Sequence, residues 1–193
     1  MRTGLAIPVA LFGLCAVAPA HAAPTSEQTV EVFGQATARC SLSSPSATGT
    51  PVNFDAPVGA TFSITELSDP GTLSTRAANI TLSFPAMCNA VHRVSLTTEN
   101  NGLWRDFSSV SSGGFGSAVP YGANLVWAGD QHLLSADATG RHEAQETILV
   151  GQPNAGEMLV EIDVAVGATN ATTGAPLLAG DYADVLRLTV EPQ

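Results

Sequence analysis

Residues 158–166 read MLVEIDVAV, and this stretch carries the clearest fold signal in the chain. Its apolar side chains, from Met158 to Val166, occupy every second position, and Glu161 and Asp163 fall between them. In an extended strand, alternate residues point to opposite faces. The stretch therefore predicts a strand with one buried face and one face in water.

Residues 182–190 show the same alternation, with Leu186, Leu188 and Val190 on the apolar side. Helical periodicity is nearly absent elsewhere, and short apolar runs alternate with breaks that contain Gly, Pro or Asn. Six to eight short strands of this kind predict an all-β sandwich. The other predicted strands are residues 29–40, 62–67, 78–84, 92–97, 121–127 and 146–150. Residues 99–119, rich in Gly and Ser, are expected to form a long surface loop.

Residues 1–22 match a cleaved export signal. Arg2 precedes an apolar run at residues 5–18 that is too short to span a bilayer, and Ala20 and Ala22 supply the small residues before a cleavage site. Cleavage after Ala22 leaves residues 23–193, enough for one domain of ordinary size. Cys15 leaves with the signal. We expect an exported protein that passes through the periplasm to a fimbrium on the cell surface or to the extracellular space, with no membrane span after cleavage.

All seven basic residues are arginines, and loss of Arg2 leaves six of them against 17 acidic residues, a net charge of −11. Such a charge disfavours nucleic acid and anionic membrane surfaces as partners. The acidic residues are spread thinly along the chain, which is typical of a soluble secreted surface.

Two cysteines, Cys40 and Cys88, remain after cleavage. Thiols oxidise in exported proteins, so we expect them to form a disulfide. Closing a loop of this length stabilises a fold by about 4 kcal/mol in the chain-entropy model. Zinc is the alternative ligand, but neither cysteine has a second Cys or His at the spacing that a zinc site requires.

The sequence offers no catalytic machinery. His92, His132 and His142 are not spaced as metal ligands, and no Gly-x-Ser-x-Gly motif occurs. Asp181 and Asp184 resemble an acid pair, but turn formation and solvation explain them more simply. We therefore expect no enzyme activity, no metal and no cofactor.

Aromatic residues suggest one alternative, a sugar-binding platform. Trp104 lies in the predicted surface loop, and Trp127 and Tyr121 lie in a predicted strand, where core packing is the expected role. Asn79 and Asn170 begin glycosylation triplets, a signal that arises often by chance. The alternative function is a monomeric secreted carbohydrate-binding module or adhesin.

Three segments carry a resemblance to a known family: ARCSL at residues 38–42, YGANLVW at 121–127, and AGDYADVLRLTV at 179–190. The chain resembles the spore coat protein U domain family, which is similar to the pilin subunits of archaic chaperone-usher pili. The most specific element is the pattern Gly-x-Tyr-x-Asp, formed here by Gly180, Tyr182 and Asp184.

The resemblance implies an immunoglobulin-like sandwich over residues 40–193 that lacks its last strand. Tyr182, Leu186, Leu188 and Val190 are then the last strand of the domain and line an acceptor groove. The resemblance also implies a fibre subunit for adhesion or biofilm formation, with neighbouring subunits, a periplasmic chaperone and an outer-membrane usher as partners.

An unfilled groove requires a donor strand, and residues 23–39 form the N-terminal extension in this interpretation. Val30, Val32, Gly34 and Ala36 occupy alternate positions there, a spacing that suits addition of a strand to a neighbouring sheet. The alternative is that residues 29–40 are the first strand of the domain itself.

Overall fold

The computed structural model describes residues 26–106 and 113–193. The predicted signal peptide, residues 1–22, lies outside this part of the chain. The chain divides into two units, residues 1–35 and residues 36–193. The described residues of the first unit, 26–35, have no regular secondary structure, and the side chains of Val30, Val32 and Phe33 are 82%, 90% and 87% exposed.

The second unit is all-β, and no helix occurs among its described residues. Within the described ranges, no helix is long and apolar enough to cross a membrane. The strands are β1 (Cys40–Leu42), β2 (Ser46–Val52), β3 (Ala78–Cys88), β4 (His92–Thr98), β5 (Leu103–Arg105), β6 (Ala118–Val119), β7 (Tyr121–Trp127), β8 (Asp130–Ala136), β9 (Ala144–Val150), β10 (Asn154–Val164), β11 (Tyr182–Ala183) and β12 (Leu186–Pro192).

These strands form three antiparallel sheets. The largest has the order β1-β3-β10-β7-β8, and β2 also pairs with β3, next to β1 along the same edge. A second sheet has the order β12-β4-β9, and a smaller third one has the order β11-β5-β6. The prediction of an all-β chain is confirmed.

The alternation at residues 158–166 produces the centre of the largest sheet. Met158, Val160 and Val164 of β10 are buried, and Glu161 lies on the exposed face. Val166 is 73% exposed because β10 ends at Val164, so the prediction that Val166 faces inward is wrong.

One apolar core joins the largest sheet to the sheet of β12, β4 and β9. Leu125 and Val160 contribute to it from one sheet, and Val94, Leu96 and Ile148 contribute from the other. The half-buried Leu186, Leu188 and Val190 of β12 pack against the same core. These three residues lie at the edge of the core, whereas the residues of β4 lie at its centre.

Several strand predictions are wrong. Residues 29–39 form no strand, and only Cys40 of the predicted segment enters β1. Residues 62–67 are held by an isolated bridge between Ile64 and Phe54 instead of a ladder. The predicted surface loop at residues 99–119 contains β5 and β6, and Trp104 and Val119 within it are buried. A break at residues 184–185 divides the predicted last strand into β11 and β12.

The predicted disulfide between Cys40 and Cys88 is confirmed, with an S–S distance of 2.09 Å. The two residues lie directly opposite each other on β1 and β3, and their Cα atoms are 4.1 Å apart. The short strand β1 is therefore fixed covalently to the long strand β3.

Candidate functional site: a groove between two strand edges

A groove of about 760 Å³ opens between β12 and the edge of the largest sheet. Its lining includes Leu42, Phe84 and Val160 on one side and Leu186 and Leu188 on the other. These side chains are apolar, and four of the five are only half-buried. The groove thus gives solvent access to one side of the core.

The strand β12 forms one wall of the groove and is an edge strand, because among the described strands it pairs only with β4. The Glu99 N–H donates to the Val185 carbonyl at 2.9 Å, and the Gln193 N–H donates to the Val91 carbonyl at 2.9 Å. Both bonds belong to the register in which Leu188 lies opposite Leu96.

Bonded and non-bonded pairs alternate along an antiparallel ladder. Since residues 185 and 193 bond toward β4, the residues Arg187, Thr189 and Glu191 do so too. The N–H and C=O groups of Leu186, Leu188 and Val190 therefore point away from β4, toward the free edge. The same three residues turn their side chains inward.

The strand β1 presents a second edge, since its partner among the described strands is β3 alone. The Asn89 N–H donates to the Arg39 carbonyl at 3.1 Å, and the Ser43 N–H donates to the Pro85 carbonyl at 2.9 Å. By the same alternation, the main-chain groups of Cys40 and Leu42 point away from β3. Two strand edges, whose outward main-chain groups have no pairing partner among the described strands, thus border one apolar groove.

Of the four residues predicted to line the acceptor groove, three do so. Tyr182, Leu186 and Leu188 line the groove. Val190 is half-buried against the core but is not part of the lining. The predicted donor residues Val30, Val32 and Gly34 lie in the first unit, where they are exposed and outside any strand, and Ala36 is the first residue of the second unit and is also exposed.

At one end of the groove, the Asp184 carboxylate accepts a dense set of hydrogen bonds. The main-chain N–H groups of Asn100, Gly102 and Val185 donate at 2.9, 3.2 and 2.7 Å, and the Tyr121 hydroxyl donates at 2.9 Å. Further donors are the Thr98 hydroxyl and the Asn100 side-chain amide. The sequence-based explanation of Asp184 as a solvated turn residue is therefore wrong.

The two tyrosines at this end of the groove act as hydrogen-bond donors. Burial raises the pKa of the Tyr121 hydroxyl far above its usual value, and the negative charge of Asp184 raises that pKa further. Burial also raises the pKa of Tyr182, whose hydroxyl donates to the Leu178 carbonyl at 2.8 Å and the Gly116 carbonyl at 3.2 Å. Both phenols therefore stay protonated at neutral pH.

Residues 53–67 form a third wall of the groove, which no pattern in the sequence indicated. They include a tight turn at residues 58–61, where Gly59 has a φ of +62°. Phe54, Phe62 and Ile64 lie on the side that lines the groove. The alternation of Phe62 and Ile64 was visible in the sequence, but these residues pair only within their own segment.

The three histidines considered as metal ligands or catalytic residues do not come together in one site. His92 is fully buried, and its Nε2 accepts a 2.8 Å hydrogen bond from the Trp127 indole. His132 lies beside Glu146 on β9, and the exposed His142 contacts the Gly140 carbonyl. In the described ranges, no group of three His, Cys, Asp or Glu side chains is placed to hold a metal ion.

The three aromatic residues of the alternative interpretation do not form an exposed platform. Trp104 is 2% exposed, and its indole N–H donates to the Asn100 carbonyl at 2.6 Å. The Arg141 guanidinium covers its ring at 5.4 Å. Trp127 and Tyr121 are buried in the core, as expected for aromatic residues of a strand.

The asparagines of the two glycosylation triplets hydrogen-bond to residues that are distant in sequence. The Asn79 amide donates to Glu161 at 3.0 Å. The Asn170 side-chain oxygen accepts from the N–H groups of Ser117 and Ala118 at 2.9 and 3.1 Å.

Comparison with known proteins gave no match to a family model, to a curated protein or to a solved structure.

Proposed function

We propose that this chain is a structural subunit of a secreted fibre and that copies of it polymerise by strand exchange. Its two larger sheets form an immunoglobulin-like sandwich that lacks one strand, and the groove beside β12 receives that strand from a second copy. Export, a periplasmic chaperone and an outer-membrane usher belong to the same proposal. The resemblance to spore coat protein U domains supports it independently of the groove.

The observation that carries the proposal is that, along β12, the residues whose side chains face the core also turn their main-chain groups toward the free edge. Leu186, Leu188 and Val190 direct main-chain donors and acceptors toward the free edge of β12, while their side chains reach the core. An apolar groove bordered by such an edge is prone to pair with any available strand. A strand with alternating apolar residues satisfies both the main-chain groups and the apolar surface.

The proposed occupant is residues 29–38 of a second copy. Within the described ranges, this segment belongs to no strand, and it exposes Val30 and Val32 almost completely. Val30, Val32, Gly34 and Ala36 would enter the groove, while Glu31, Phe33 and Gln35 would face outward. A linear head-to-tail polymer of identical chains follows, since each copy has one donor segment and one groove.

The two edges must separate when a strand enters. Parts of β1 and β12 approach within 8 Å between Cα atoms. A strand paired on both sides requires roughly 9–10 Å between its neighbours, which is twice the spacing of paired strands. The unfilled groove is therefore partly closed, and uptake of a strand widens it.

The test is to supply the missing strand within one chain. A copy of residues 29–38, attached after Gln193 through a flexible Gly/Ser linker, has an effective concentration on the order of 1 mM. If the segment binds with a micromolar Kd, this excess stabilises the domain by about 4 kcal/mol. We expect a monomer in size-exclusion chromatography and a Tm raised by about 10 °C.

Two matched variants of the attached copy identify the interaction. Val30→Asp with Val32→Asp should abolish the gain, because the carboxylates would enter apolar pockets unpaired. Glu31→Lys with Gln35→Lys should retain it, because these residues face outward. If the chain without the added strand is a stable monomer and its Tm does not change on addition, the domain is already complete and strand exchange is wrong.

A further inference from the structure

The segment that forms the third wall of the groove is attached to the domain in an unusual way. We call residues 54–65 the flap. The Asp55 N–H donates to the Ser63 carbonyl at 2.9 Å, and the main-chain groups of Val58 and Thr61 bond to each other at 3.1 Å. Among the described residues, every hydrogen bond of the flap has its partner within residues 53–65.

The base of the flap, in contrast, is fixed firmly. The Asn53 side-chain amide donates to the carbonyls of Glu66 and Ala77 at 2.8 and 3.2 Å, and its oxygen accepts from the Glu66 N–H at 3.0 Å. An ion pair joins Glu66 to Arg76. Asn53 also has a φ of +56°, so the chain turns sharply where the flap begins.

Apolar contacts alone hold the rest of the flap against the domain. Phe54 and Ile64 are half-buried and pack against the main core, and Phe62 lines the groove. The tip is in solvent, since Val58 is 79% exposed. Lifting the flap would expose these side chains without breaking any hydrogen bond to the rest of the described chain.

We propose that the flap is a lid that covers one end of the groove in the unfilled subunit and lifts when a strand enters. The inference rests on the proposed function and adds a regulatory step to it. Before filling, Phe62 and Ile64 shield apolar surface that would otherwise promote aggregation. During filling, the side chains of the incoming strand replace them, and the flap rotates about Asn53 and Glu66.

The lid predicts faster strand uptake when its apolar contacts are weakened. Binding requires the open form, so the apparent affinity and rate scale with the fraction of subunits whose lid is open. With a fluorescent peptide of residues 29–38 as the probe, Phe62→Ala should raise the association rate by about tenfold. Val58→Ala at the exposed tip is the matched control and should leave the rate unchanged. The acceptor carries Val30→Asp and Val32→Asp so that it cannot donate its own strand.

A distance measurement tests the movement itself. Cys40 and Cys88 are bridged, so spin labels can be placed at Val58→Cys on the flap and Leu133→Cys on β8, both exposed positions. We expect the peptide to change the distance between these labels by about 5 Å or more, one strand spacing. A second pair, Met87→Cys and Leu133→Cys, lies on strands of the largest sheet and should not respond.

The outcomes separate the two proposals. If the peptide binds but neither the flap distance nor the rate in Phe62→Ala changes, the lid is wrong and strand exchange stands. If the peptide binds to no variant, including Phe62→Ala, the groove does not accept this strand, and both proposals are overturned.

Discussion

Asp184 illustrates how one side chain can organise the end of a strand. Its carboxylate binds the turn after β4 through Asn100 and Gly102, and it binds β7 through Tyr121. It also accepts a hydrogen bond from the N–H of Val185, the residue immediately before β12. Because β12 begins two residues later, at Leu186, these hydrogen bonds anchor the start of that strand.

We expect Asp184→Ala to lower the free energy of unfolding by about 3 kcal/mol, since hydrogen bonds to a charged group are worth about 1.5–3 kcal/mol and several donors lose their acceptor. Chemical denaturation measures the effect. The control is Asp181→Ala, an exposed neighbour that should change stability by less than about 0.5 kcal/mol. Equal effects of the two substitutions would show that the hydrogen bonds to Asp184 contribute nothing.

Asp137 gives a prediction about pH. Hydrogen bonds from the Thr139 N–H and hydroxyl and from the Asn101 amide hold the pKa of Asp137 below its usual value, against an opposing effect of burial. The folded pKa is thus below the unfolded one. The contribution of Asp137 to stability is complete above the unfolded pKa of about 3.9 and is lost as the pH falls through the folded pKa.

The measurement is the free energy of unfolding between pH 2 and pH 6 for the native chain and for Asp137→Asn. We expect the difference between the two to be largest near pH 6 and to shrink as the pH falls below about 4. A difference that stays constant with pH would contradict the proposed role of the ionised carboxylate.

At the scale of the elements, strands with a clear period of two were predictable from the sequence. β7 has the bounds that the sequence predicted, and β4, β9 and β10 differ by one to four residues at one or both ends. These strands alternate because one face meets the core and the other meets water. The prediction failed for Val166, because the alternation in the sequence continues beyond Val164, the last residue of β10 that pairs with β3.

Other elements were not predictable because their state depends on partners far away in sequence. Trp104 is buried against Ala118 and Ala138 inside a segment whose Gly and Ser content is typical of a loop. Residues 29–39 have the alternation of a strand but form no strand. The donors around Asp184 come from residues 98–121, so no local pattern indicates its role.

The disulfide fixes β1, a short strand that borders the groove. β1 has three residues and is tied to β3 by the Cys40–Cys88 bridge. We expect Cys40→Ala with Cys88→Ala to lower the free energy of unfolding by about 2–5 kcal/mol. Denaturation of the oxidised native chain and of the variant measures this. The reduced native chain is the control and should resemble the variant, and a variant as stable as the oxidised chain would contradict the prediction.

At the scale of the whole molecule, the proposed assembly depends on a sheet whose missing strand is supplied by a neighbouring copy. The core reaches solvent along β12, whose inward side chains are half-buried, while those of β4 are fully buried. A fibre of such subunits would bury the exposed part of each core under the segment of a neighbour. Stability would then be a property of the polymer more than of the single chain.

Filling of the groove should leave an alternating pattern in the amide exchange of β12. The N–H groups of Leu186, Leu188 and Val190 point toward the free edge, so an added strand should protect them strongly. Those of Arg187 and Thr189 already bond to β4, and their protection should rise only as much as the stability of the whole domain does. Hydrogen exchange followed by NMR, with and without the attached copy of residues 29–38, resolves these residues individually. Uniform protection along β12 would indicate that the added segment stabilises the domain without pairing to this edge, whereas protection at every second residue identifies β12 as the strand that receives it.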